Sequence, residues 1–110
     1  MEKLRVYQKA LELVKAVYKL IHENPQLLKD FSLSDQLKRA AVSVVANISE
    51  GYRRSGRQFK NYLEISSGST NEMQALLDVI NAVYQIDTSY LKNEYVILGK
   101  QIIAFRKTIR

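Results

Sequence analysis

The sequence predicts an all-α fold: an antiparallel up-down-up-down four-helix bundle in one domain spanning residues 1–110. Three observations lead there. Apolar residues recur at helical spacing through four long segments. One proline and four glycines in 110 residues leave those segments almost uninterrupted. The connections between most of them are short, which returns each helix beside the one before it. A chain of this length makes one domain, whose core buries roughly two-thirds of the unfolded surface.

Val6 to Ile21 reads as the first helix. Val6, Ala10, Leu13, Val14, Val17, Leu20 and Ile21 fall at i, i+3, i+4 and i+7. Tyr7, Leu11 and Tyr18 widen the stripe, which suggests contacts with more than one neighbour, both within the bundle and between subunits. Lys9, Glu12, Lys15, Lys19 and Glu23 mark the wet side. Asn24-Pro25 ends the helix, because the residue before proline is pushed out of the α region. His22 then sits in the last turn, where the helix dipole favours a cation. Pro25 to Phe31 is a connection with one helical turn at Gln26 to Lys29, and Leu27, Leu28 and Phe31 are expected to tuck against the bundle's end.

Ser32 or Ser34 caps the second helix, which runs to about Glu50. Ser32 has Asp35 three residues on, as in a capping box; Ser34 places Asp35 in the first turn. Leu37, Ala40, Ala41, Val44, Val45 and Ile48 form the apolar side. Gln36, Arg39, Ser43, Asn47 and Glu50 follow one another at steps of 3, 4, 4 and 3, so they share one stripe. Small residues around them point to a partly buried polar seam, whose members need partners. Gly51 stands where helices often end in the left-handed conformation.

The turn is YRRSGR, with Ser55 as N-cap of a third helix from Gly56 or Arg57 to Tyr84 or Ile86. Helical spacing persists from Phe59 to Tyr84. Gly68 lies mid-helix, where close approach of another helix is the natural reason for it. With a turn centred near residue 53 or 54, facing positions sum to about 107. That register predicts an Arg39–Glu72 bond, with Gly68 making room for the arginine. Asp87 or Ser89 caps the fourth helix, Tyr90 to about Thr108, with Leu91, Tyr95, Leu98, Ile102 and Phe105 inward.

No chemistry of catalysis is legible in these residues. There is no cysteine and a single histidine, which excludes thiolate and multi-histidine metal sites. Glu50 and Glu72 lie over about 20 Å apart along the hairpin, too far for an acid/base pair. Ser43 has no histidine to activate it, and no glycine loop cradles a phosphate. The sequence thus predicts a non-enzyme with no metal, cofactor or small-molecule substrate. No apolar run spans a bilayer, and the opening residues lack a signal peptide's apolar stretch, which predicts a cytoplasmic protein without membrane contact.

Charge is the remaining lead. The net charge is +6, yet Asn61 to Leu91 holds four acids and no base, leaving +10 on the rest. Two runs are purely basic: Arg53, Arg54, Arg57 and Lys60, then Lys100, Arg106, Lys107 and Arg110. These fit a polyanion such as RNA or DNA, or simply a solvated surface. Tyr52 either stacks on an unpaired base or packs over the helix end.

DQLKRAAVSVVANISEGYRR resembles the signature of the 23S rRNA intervening-sequence protein family, the S23-type four-helix bundle proteins of bacteria. Gln36, Leu37, Arg39, Ala40, Ala41, Ser43, Asn47, Ile48, Glu50 and Gly51 carry the match, with Gly68, Ser69 and Glu72 further on. Ser49 stands where the pattern often has alanine. The resemblance covers essentially the whole chain. It implies a non-enzymatic homo-oligomer, a homopentamer above all, with a nucleic-acid-binding role. Arg53, Arg54, Arg57, Lys60 and Tyr52 would then contact the nucleic acid. The alternative is an oligomeric protein-interaction scaffold, analogous in fold to the accessory proteins of diversity-generating retroelements.

Overall fold

The computed structural model describes residues 2–110, with side chains from Arg5 onward. It is all-helical, with no strand among the described residues: α1 (Glu2–Glu23), α2 (Pro25–Lys29), α3 (Phe31–Tyr52), α4 (Gly56–Tyr84) and α5 (Ser89–Arg106). α3 packs on α4, α4 on α5, and α1 on both α3 and α5. Among the described residues the backbones of α1 and α4 do not approach each other closely, nor do those of α3 and α5. Among the described residues no helix is long and apolar enough to cross a membrane.

The periodic positions form the core. Val6, Ala10, Leu13, Val17 and Ile21 of α1 are buried against Leu37, Ala41, Val44 and Ile48 of α3 and Leu91, Tyr95, Leu98 and Ile102 of α5. Leu63, Met73, Leu77 and Ile80 complete it from α4. The Tyr95 hydroxyl lies in this core without a hydrogen-bond partner, and burial raises its pKa far above the ordinary phenol value.

The connections depart from expectation. Of the three apolar residues in the first, only Leu27 is buried; Leu28 and Phe31 face solvent, Phe31 with 81% of its surface exposed. α3 begins earlier than Ser32 or Ser34 would set it. Its N-cap is Asp30, whose carboxylate accepts from the Leu33 N–H at 3.1 Å. Ser34 is instead buried and donates to the Leu27 carbonyl at 2.5 Å, tying α2 to α3. Asp30 also accepts from the Tyr84 hydroxyl at 2.7 Å, which fastens the start of α3 to the end of α4. α4 ends on Gln85 in the left-handed region at φ 54°, a position glycine usually takes. The N-cap position of α5 is Thr88, between the two expected residues; its hydroxyl is turned inward to the Leu77 carbonyl at 2.8 Å. Ser89 donates to the Asp87 carboxylate within the turn.

Gly51 differs in kind. It does not terminate α3 in the left-handed conformation but lies buried inside the last turn. A Cβ there would come within 2.6 Å of Phe59 Cδ1 and 2.9 Å of Tyr62 Cβ. The glycine is needed for close approach of α4, not for backbone freedom. Gly51→Ala should therefore destabilise the fold by ~1–3 kcal/mol through overpacking, read as a lower urea midpoint with unchanged slope.

The Tyr84 hydroxyl, and after it the Leu33 N–H, hold the Asp30 carboxyl below its ordinary value of 3.8. A carboxyl with a lowered folded pKa adds stability that is complete above its unfolded pKa. That contribution fades as pH falls through the folded value. The stability lost in Tyr84→Phe should accordingly be largest near neutral pH and shrink on acidification from about pH 5 towards pH 2, measured by urea unfolding across that range.

Candidate nucleic-acid interface

The predicted polar seam is divided by the structure. Its middle lies between α3 and α4. The Ser43 and Ser69 hydroxyls meet at 2.8 Å, and Asn47 Nδ2 donates to the Ser43 carbonyl at 2.8 Å and hydroxyl at 3.0 Å. Its remainder lies outside. Gln36, Arg39, Gly68 and Glu72 are all exposed. Arg39 is bound not to Glu72 but to Asp35 of its own helix, at 2.7 Å. Facing pairs Ser43/Ser69, Val44/Ser66 and Gly51/Phe59 sum to 110–112, so Arg39 and Glu72 do stand level. Both point away from the contact, however, and a carboxylate one turn back on α3 is nearer. Gly68 makes room for nothing within the chain: no atom lies within 4 Å of a Cβ placed there.

Among the inward positions of α4 that keep helical spacing are hydroxyl side chains that bond or pack across the helix contacts. Ser66 donates to the Val44 carbonyl across the contact at 2.8 Å. Thr70 faces Gly99 of α5, where a Cβ would meet its hydroxyl oxygen at 2.6 Å. The signal was present in the sequence: serine and threonine at heptad positions otherwise filled by leucine and methionine.

The α3–α4 turn gathers Tyr52, Arg53, Arg54, Arg57 and Lys60 at one end of the molecule. Tyr52 stacks on Phe59, with centroids 5.6 Å apart and planes 26° from parallel. Phe59 and Phe105 form a T-shaped pair with centroids 5.6 Å apart, so the tyrosine belongs to an aromatic cluster closing the helix end. Arg54 is engaged by Glu50 at 2.5 Å and lies over the Tyr62 ring at 5.6 Å. The hydrogen bond that it donates to the Glu50 carboxylate, then its electrostatic interaction with Tyr62, hold the Arg54 guanidinium above the ordinary arginine pKa. Glu50 thus serves the turn rather than the seam. Arg53 and Arg57 are exposed and carry no ion pair among the described residues. Lys60 is half-buried.

The second basic run joins the first here. Arg106 Nε donates to the Lys60 carbonyl at 3.0 Å, and its terminal nitrogen pairs with Glu64 at 3.2 Å. The Arg110 carbonyl packs against Gly56, the first residue of α4. Arg57, Lys60, Asn61, Arg106 and Arg110 line one groove of about 260 Å³. Sequence reasoning had both runs but did not join them. A larger groove of about 740 Å³ lies between α4 and α5, with Ser67, Asn71 and Gln74 on one wall and Lys100 and Lys107 on the other rim. Among the described residues no three histidine, aspartate or glutamate side chains gather where a metal could sit.

Comparison with known proteins gives two findings. A family model described as "23S rRNA-intervening sequence protein" matches residues 2–104. A crystal structure from Bacteroides thetaiotaomicron VPI-5482, described as a protein with unknown function from the S23 ribosomal protein family, superposes with a TM-score of 0.88. It is 26% identical, over 97% of this chain and 99% of that one. No curated protein matches.

The divided seam makes unequal demands on its members. Ser43→Ala should lower stability by about 1 kcal/mol, since Ser69 and Asn47 lose a partner in a half-buried contact. Arg39→Ala should change it by less than ~0.5 kcal/mol, because its ion pair is exposed. Urea unfolding of the two variants side by side checks both.

Proposed function

The chain belongs to the 23S rRNA-intervening sequence protein family, and from that premise we propose that it is a non-enzymatic, cytoplasmic, homo-oligomeric protein that binds nucleic acid through its basic end. The single observation that carries this reading is the meeting of the two basic runs. Arg57 and Lys60 from the α3–α4 turn line one groove with Arg106 and Arg110 from the end of α5, and Arg53 is exposed on the same turn. Phosphate recognition is mainly electrostatic, and clustered exposed cations suit it. RNA is favoured over DNA by the family's name.

The helices are read as an antiparallel up-down-up-down four-helix bundle, with α2 as part of the first crossover. The cyclic order of packing α1–α3–α4–α5 and the opposed numbering of facing residues support that arrangement. The family resemblance supports a homopentamer, in which the basic end recurs once per subunit. Of the candidate contacts, Arg53, Arg57 and Lys60 are the phosphate ligands. Arg54 and Tyr52 shape the turn, since their own partners occupy them.

A scaffold for another protein is the second reading, favoured by the long groove between α4 and α5 with its apolar floor of Val96, Ile103 and Ala104. A partner that survives nuclease treatment in a pull-down would support it over an RNA-bridged one.

Electrophoretic mobility shifts with structured RNA should show micromolar or tighter binding at about 50 mM salt that weakens steeply by about 200 mM. Replacing Arg53, Arg57 and Lys60 by alanine should weaken binding uniformly across RNA sequences and lower the salt slope by about two to three. Absence of salt-sensitive binding at micromolar protein overturns the nucleic-acid reading.

A further inference from the structure

α4 carries two stripes with a seven-residue repeat. One is the buried set described above. The other is Ile65, Gly68, Glu72, Ala75, Val79 and Ala82, at steps of 3 and 4, and every member is exposed. Ile65 and Val79 leave 53% and 44% of their surface in solvent, and Val83 beside them 57%. A solvated helix face is ordinarily rich in lysine and glutamate. This one alternates branched apolar residues with glycine and alanine, and no base occurs between Asn61 and Leu91. Sustained 3–4 spacing of this kind is the pattern of a helix seated against another helix, with small residues allowing close approach.

α1 carries a matching second stripe. Gln8, Leu11, Lys15, Tyr18 and His22 follow the same spacing outside the core set. Leu11 is half-buried, and the other four are exposed, Tyr18 by 38%. Aligned in the same direction, Leu11, Lys15 and Tyr18 repeat the steps of Gly68, Glu72 and Ala75. Large side chains then meet small ones at both ends, and a cation meets the stripe's only charge in the middle. α1 and α4 are not neighbouring helices within the chain, and both stripes face away from the core, which leaves the match to a second molecule.

We propose that the exposed stripe of α4 is the docking surface for α1 of a second copy of this chain, with Leu11 over Gly68, Tyr18 over Ala75 and Lys15 beside Glu72. The inference rests on the homo-oligomer reading above and names its surfaces. Gly68, which has no packing reason within the chain, gains one. The contact joins two different faces of the same molecule, so it is head-to-tail and builds a ring when its rotation closes. The stripe does not pair with itself: Glu72 lies near its centre and would face its own copy.

The test uses the absence of cysteine. The double variant Lys15→Cys/Glu72→Cys should oxidise to a ladder of covalent oligomers, while either single variant should not. Independently, Glu72→Lys should dissociate the oligomer in native mass spectrometry without loss of helical circular dichroism, and Lys15→Glu/Glu72→Lys should restore it. Cross-linking or charge-swap rescue supports the contact. Absence of both in a chain that is oligomeric overturns the contact and leaves the oligomer reading standing. A covalent dimer from Glu72→Cys alone shows α4 pairing with itself and also overturns it. A wild-type chain that is monomeric in the same measurement overturns the oligomer reading and this inference together.

Discussion

The close approach of α3 and α4 is the constraint on which the other placements depend. Gly51 lets Phe59 and Tyr62 settle against the backbone of α3, where a single methyl group would clash. Further along, a serine hydroxyl on α4 reaches a main-chain carbonyl of α3, which is possible only when two helices are near enough for short side chains to span them. Phe59, held by Gly51, stacks against Tyr52 and meets Phe105 in a T-shaped contact. Phe105 places the last turn of α5, and Arg106 on that turn closes onto Lys60. The basic end therefore follows from packing at a glycine.

Charge is distributed to agree with this. Arg39 and Arg54 are each engaged by an acid one turn earlier on α3, pairs that are exposed and contribute little to stability. Lys9–Glu94 links α1 to α5, and Lys92–Asp78 links the start of α5 to α4. Around the turn and the end of α5, Arg53, Arg57, Lys60, Lys107 and Arg110 have no ion pair among the described residues. At physiological salt the reach of their charge is about 8 Å, so it acts on a ligand only near that end.

The helices were legible because period alone defines them, and all four long segments lie within a few residues of their expected bounds. The caps were not. Serine and aspartate both satisfy an N-cap, and Asp30, which takes the position, is also bonded by Tyr84, a residue 54 positions away. Gly51 was misread for a related reason: sequence does not separate a glycine needed for φ from one needed for space. The Arg39–Glu72 expectation failed differently. Counting from the turn gives height along a helix pair, and there it was nearly correct. It does not give the angle around each helix, which turned both side chains outward. Of the five residues expected to form one partly buried seam, Ser43 and Asn47 lie half-buried at the contact with α4.

Why hydroxyls rather than methyl groups occupy this contact follows from what each would permit. An apolar surface of leucines and alanines is nearly indifferent to a slip of one helical turn, about 5.4 Å. Ser66 and Thr88 are not indifferent, because each has one carbonyl within reach, on α3 or on α4. The Ser43–Ser69 bridge is equally fixed in height. After a slip these groups would remain buried and lose their partners, at a penalty of roughly 1–3 kcal/mol apiece. The hydroxyls thus select one register from several that the apolar core would accept. That register sets Lys60 level with Arg106, and Gly56 level with Arg110. Buried groups with no ligand-binding role of their own determine which cations stand together at the surface.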